Sequence, residues 1–325
     1  MDGKNVFGIE GEVRSKTITK YEKDQNPERV EQINEGVEHP KLVSFDLEGE
    51  KVQIEYIEVP AKKQEQHEGE KEKVIILFPG FCASYIPYVG AVKELAGYMG
   101  NYRIICLSPL DSGKSSSLKE SHLQKMGEVY RAAFQKLGID SAHTEATVIG
   151  HSRSDIIALE LARSVPELVK NIALVNGITG KKEGLAGLTY DFTEHTFLDI
   201  TPERMKGLFK GEVEAARNYL NQTRDFLRNM LKPTHILNQF SSLNERKKVN
   251  VKELLSQLKS NVLILSGTGD ITDYKETREN IYENLPENIQ AEHHLEIGGL
   301  HDEINAHPEG FVLKFRKWME SVEKV

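Results

Sequence analysis

Between Val74 and Asn176 the chain alternates short apolar runs with longer segments whose apolar residues recur at helical spacing. The runs are Val74–Phe78 (VIILF), Tyr102–Leu107, the stretch ending in Thr147-Val148-Ile149, and Val169–Asn176 (VKNIALVN). Runs this apolar have no water-facing side, so each predicts a strand covered on both faces. Between them, Val89–Met99 and Glu120–Leu137 read as amphipathic helices, the second closed by Gly138. A third helix begins at Asp155 and stops before Pro166. Such an alternation implies right-handed crossovers and an α/β fold: a mostly parallel central sheet with helices on both faces. Catalytic groups in sheets of this kind gather at the carboxyl ends of the strands. Asn261–Leu265 (NVLIL) and Glu292–Ile297 resume the strand pattern, and Pro308–Trp318 is the closing helix, with Phe311, Val312, Phe315 and Trp318 toward the sheet.

Upstream, Leu42–Leu47 and Val52–Val59 are β-type segments separated by Glu48-Gly49-Glu50-Lys51, a hairpin signal. Ala61–Lys73 (AKKQEQHEGEKEK) has no apolar face and reads as an exposed long hairpin loop. Residues 1–40 read as a solvated N-terminal arm, with one alternating stretch from Val13 to Tyr21 that could form an edge strand.

A chain of 325 residues with a net charge of -8 has ample length for a core and lacks the basic surplus of a nucleic-acid binder. Cys82 and Cys106 are too few for a disulfide framework. No signal-peptide core and no apolar run of membrane-spanning length are found, so the cytoplasm is the expected compartment. Gly113-Lys114-Ser115 invites a phosphate-loop reading, but that motif needs glycine where Ser108 stands. His293 and His294 are adjacent in a predicted strand and point to opposite faces, so they cannot jointly chelate a metal.

The pivotal stretch is Thr147–Ala158 (TVIGHSRSDIIA). A strand that turns into a helix within five residues holds its central residue in a cramped conformation and pushes Ser152 out at the strand tip, above the positive helix end. A serine there can act as a nucleophile, and the backbone N–H of Arg153 can donate to a developing oxyanion. Gly150-His151-Ser152-Arg153-Ser154 resembles the nucleophile elbow G-x-S-x-G of the α/β-hydrolase family, with Ser154 in place of the last glycine. A small side chain there still lets the helix approach the strand.

That resemblance extends over roughly Leu42–Met319 and carries further expectations. Pro79-Gly80-Phe81 follows the first parallel strand where the family commonly has His-Gly-x, which makes the Phe81 N–H the second oxyanion donor. Ser108–Ser115 resembles the family's D-x-x-G-x-G-x-S loop, matching at Gly113 and Ser115 and departing at Ser108 and Asp111. Gly267-Thr268-Gly269-Asp270 matches the family's G-x-x-D, so Asp270 is the expected triad acid, with Asp273 the competing choice. His301, in the glycine-started loop beyond the last strand, fits the triad base. The order Ser152, Asp270, His301 is that of the family. The family also implies a helical cap at 181–260, inserted into a core formed by 41–180 and 261–325; within it Pro202–Phe209, Glu212–Leu231 and Val251–Leu258 read as helices.

The implied activity is hydrolysis of a carboxylic ester or thioester of small to medium acyl size, with no cofactor and no metal. A C–C bond hydrolase or lyase is a near variant. A receptor-like or slow-turnover binding protein on the same fold is the alternative from another class.

Overall fold

The computed structural model describes residues 22–62, 69–118, 123–177, 223–235, 237–238, 249–267, 281–296, 301 and 303–324. Among the described residues one sheet contains β1 (Lys41–Leu47), β2 (Glu50–Val59), β3 (Glu72–Phe78), β4 (Arg103–Leu107), β5 (Thr144–His151), β6 (Val169–Val175), β7 (Asn261–Gly267) and β8 (Ala291–Glu296). Their spatial order is β1-β2-β4-β3-β5-β6-β7-β8. β2 runs antiparallel to both of its neighbours, and every pairing from β4 to β8 is parallel. The expected α/β architecture is therefore the one observed.

Helices α1 (Pro27–Glu38), α2 (Val89–Tyr98), α3 (Leu123–Lys136), α4 (Asp155–Ser164), α5 (Val251–Ser256), α6 (Glu303–Ala306) and α7 (Pro308–Val322) surround the sheet, and residues 223–230 are also helical. The alternation of side chains along a strand divides the core into two layers. Val74, Ile76 and Phe78 of β3 point to the layer that holds Val129, Tyr130 and Phe134 of α3, with Phe78 edge-on to Tyr130 at a 4.8 Å centroid distance. Ile75 and Leu77 point the other way, toward Val92 and Leu95 of α2 and Phe315 and Trp318 of α7. Both faces of β3 are thus covered, which is why its sequence is apolar at every position from Val74 to Phe78.

The β1–β2 turn is tighter than its sequence signal. Leu47 pairs with Glu50, leaving Glu48 (φ 50°) and Gly49 (φ 85°) as a two-residue turn with both residues in the left-handed region. The reading of Ala61–Lys73 as a hairpin loop is corrected. β4 lies between β2 and β3 in the sheet, so the two strands that flank this segment do not pair with each other as a hairpin. β2 finds its partner in β4, which follows β3 in the chain, a pairing that local turn signals do not encode.

The expected solvated arm also differs from the structure over residues 27–38. Asn26 caps α1 by accepting the Glu28 N–H at 3.0 Å, and Pro27 occupies the first helical position. Ile33 and Val37, one turn apart, are buried, and the Arg29 guanidinium donates to the Pro60 carbonyl at 2.7 Å and the Ala96 carbonyl at 3.2 Å. A Cβ on Gly36 would come within 2.9 Å of Val59 Cγ2, so glycine permits the helix to lie close on β2. Only two apolar side chains face the sheet, too few to stand out in a charged stretch. Val13–Tyr21 and Pro202–Phe209 lie outside the described residues.

Candidate active site

Because β3 to β8 are parallel, their carboxyl ends lie along one edge of the sheet. β5 ends at His151, Ser152–Ser154 form a single 3-10 turn, and α4 begins at Asp155. Ser152 has φ 53°, a left-handed conformation that costs a non-glycine residue about 1–3 kcal/mol and persists only where its surroundings fix it. Gly150 allows the sharp return of the chain: a Cβ there would sit 2.8 Å from Asp155 Cα. Ser154 is fully buried, has φ -80°, and its hydroxyl donates to the Pro79 carbonyl. Its backbone needs no glycine, and its side chain ties the elbow to the loop after β3.

His301 Nε2 lies 2.8 Å from Ser152 Oγ. The backbone carbonyl of His301 is held twice, by His151 Nε2 at 2.8 Å and by Asn176 Nδ2 at 2.7 Å. A carbonyl can only accept, so His151 carries its proton on Nε2, and its Nδ1 accepts from the Tyr88 hydroxyl at 2.5 Å. The same Tyr88 oxygen accepts the Gly80 N–H at 2.9 Å. One chain of hydrogen bonds thus runs from Gly80, after β3, through Tyr88 and His151 to His301. Asn176 (φ 46°) at the end of β6 also accepts the Gly267 N–H at 3.1 Å, pinning the carboxyl end of β7, just before Asp270.

The loop Pro79–Ser84 lies against Ser152, since a Cβ on Gly80 would come within 3.2 Å of Ser152 Cβ. Cys82 has φ 52° and is fully buried, and burial pushes its thiol up to about 12. It stays protonated at neutral pH and does not compete with Ser152 as a nucleophile. The Arg153 guanidinium is buried 5.7 Å from the Phe81 ring centroid, and desolvation lowers its pKa. The helical segment 223–230 packs on these loops. Asp225 accepts from Ser84 N and Oγ, at 2.7 and 2.8 Å, and Asn229 bridges the Gly113 N–H and the Cys82 carbonyl, at 3.0 and 2.9 Å.

Of the residues singled out from sequence, Ser152 and His301 stand in hydrogen-bond contact, and Phe81 and Arg153 stack beside the elbow. Asp270 and Asp273 lie outside the described residues. Among the described residues no group of three or more His, Cys, Asp or Glu could hold a metal ion, and no helix is long and apolar enough to cross a membrane. His294 Nε2 is 3.1 Å from Glu292 Oε2. Sequence reasoning passed over Tyr88, His151, Asn176, Asp225 and Asn229. Three carried a readable signal: Asn176 ends an apolar parallel strand, and Asp225 and Asn229 are polar side chains at helical i, i+4 spacing.

Comparison with known proteins agrees with this architecture. A bacterial membrane phospholipase A has a TM-score of 0.65 at 16% identity, covering 91% of this chain and 91% of its own. An esterase from Thermogutta terrifontis has a TM-score of 0.64 at 14% identity, covering 87% and 99% respectively. A bromoperoxidase from Bacillus anthracis has 0.63 at 15%, covering 86% and 100%. At such identities the likeness extends to the fold alone. A search of curated proteins returned no match. The sequence model for the alpha/beta hydrolase fold matches residues 73–302, more than half of the chain, and the strand order and elbow agree with it: the chain belongs to the α/β-hydrolase fold family.

Proposed function

We propose that this protein is a serine hydrolase that cleaves a carboxylic ester or thioester of small to medium acyl size. The observation that carries the reading is the 2.8 Å contact between His301 Nε2 and the hydroxyl of Ser152, itself held at φ 53° above the start of α4. With Nε2 as acceptor, neutral His301 removes the Ser152 proton as Oγ forms a bond to the acyl carbon. The carbonyl π pair moves onto oxygen, and the N–H groups of Phe81 and Arg153 receive that oxyanion. The imidazolium then protonates the departing alcohol or thiol, and the C–O or C–S bond breaks. Water, deprotonated by His301, attacks the acyl-enzyme; the acyl C–Oγ bond breaks, His301 returns the proton to Ser152 Oγ, and the acid leaves. Asp270 fills the role of orienting His301 and stabilising its protonated form. No metal or organic cofactor is required for these steps.

The phospholipase and esterase among the similar structures are consistent with this substrate class, and the bromoperoxidase marks how much chemistry the fold accommodates. A fluorophosphonate probe tests the nucleophile. Labelling should map to Ser152, disappear in Ser152→Ala and His301→Ala, and decline as acid protonates His301. Labelling elsewhere, or none at neutral pH, would refute the covalent mechanism.

A further inference from the structure

We propose that Asp225 and Asn229, one helical turn apart within residues 223–230, are positioning residues that set the direction of the Phe81 N–H. The inference rests on the hydrolase reading and extends it to the segment inserted between β6 and β7.

The loop Pro79–Ser84 is short of regular structure and is held by side chains instead. Gly80 N–H is fixed on Tyr88, upstream of Phe81. Downstream, Asn229 Nδ2 donates to the Cys82 carbonyl at 2.9 Å, and Asp225 Oδ2 receives both Ser84 N–H and Ser84 Oγ. Asp225, Asn229 and Ser84 are each at most 3% exposed, so water is not at hand to replace a lost partner. Gly80 C=O accepts the Ala83 N–H at 3.4 Å, closing a turn across Phe81 and Cys82. In a trans peptide the N–H of Phe81 points opposite to that carbonyl. The turn that Asn229 and Asp225 clamp therefore decides where the Phe81 N–H aims. Cys82 sits at φ 52° within it, a conformation that relaxes when its restraints go.

The clamp reaches a second loop as well. Asn229 Oδ1 accepts the Gly113 N–H at 3.0 Å, and Lys232 Nζ donates to the Gly113 carbonyl at 2.5 Å. Seating the helical segment thus orders the loops after β3 and β4 together. The inserted segment acts on the chemistry through the oxyanion donor, beyond any part it takes in covering the substrate.

The experiment compares the parent with Asp225→Ala, Asp225→Asn, Asn229→Leu and Asn229→Asp in p-nitrophenyl acetate hydrolysis, with rates counted per fluorophosphonate-labelled Ser152. Counting per labelled site removes any loss from misfolded protein. Asp225→Ala and both Asn229 variants should lose about 10- to 100-fold in kcat with KM within about threefold, less than the 10²–10³ for deleting an oxyanion donor. Asp225→Asn keeps an acceptor for Ser84 and should recover most of kcat. An alkyl trifluoromethyl ketone, whose adduct with Ser152 carries the same oxyanion, should weaken in step with kcat/KM. Parental kcat per labelled site in Asp225→Ala and Asn229→Leu, or a loss confined to KM, would overturn the inference while leaving the hydrolase reading intact. A parent that neither labels nor turns over would overturn the hydrolase reading and this inference with it.

Discussion

Ser154 separates shape from bonding at the elbow. Family resemblance accounts for a small residue at this position, and the structure adds that its hydroxyl donates to the Pro79 carbonyl. Ser154→Gly should therefore cost about 1–3 kcal/mol of stability, because a buried acceptor loses its partner. Ser154→Leu should cost that and a further ~1–3 kcal/mol of overpacking, since the site is fully buried. Urea unfolding of the two variants checks the ranking, and a leucine variant as stable as the parent would contradict it. Asp270 and Asp273 present a similar choice between neighbours. On the proposed mechanism Asp270→Asn folds normally and loses up to about 10⁴ in kcat, while Asp273→Asn loses far less. Steady-state kinetics on both would reverse the assignment if the order were reversed.

At the scale of elements, the parallel strands and their helices were legible chiefly through β3, β4 and β7, whose buried residues on both faces are written as nearly unbroken apolar runs. The pairing of β2 with β4 was not legible, since it joins strands separated in the chain by β3 and is set by the order of strands in the sheet. α1 was missed for want of apolar residues: besides Ile33 and Val37, it is held by the buried Arg29, which reaches the Pro60 and Ala96 carbonyls. Ser152 and His301 could be placed from strand ends and motif spacing. The Tyr88–His151–His301 chain could not, because those contacts join loops more than sixty residues apart. The helical segment 223–230 yields its own prediction. Desolvation raises the pKa of Asp225 above its ordinary value, against the lowering effect of its bonds from Ser84. A carboxyl with a raised folded pKa takes up a proton on folding, so its cost to stability is present above the folded pKa and is relieved as pH falls through it toward the unfolded value. Asp225→Asn should accordingly be at least as stable as the parent at about pH 8, with that advantage fading toward about pH 4. Melting temperatures across that range test the sign, and an advantage that grows toward acid would contradict it.

For the whole molecule, the parallel sheet brings the carboxyl ends of β3, β5 and β6 to one edge, where Ser152 and His301 meet. The same fold carries a phospholipase, an esterase and a bromoperoxidase, so architecture alone does not decide among chemistries. A binding protein that retains a reactive serine would also label with a fluorophosphonate, and only repeated turnover distinguishes an enzyme from it. The direct measurement is release of p-nitrophenol from p-nitrophenyl esters of increasing chain length, counted against the number of labelled Ser152 sites. Linear release well beyond one equivalent per site is expected for the shorter acyl chains, abolished in Ser152→Ala. A burst of one equivalent followed by a plateau, or release that survives Ser152→Ala, would contradict it.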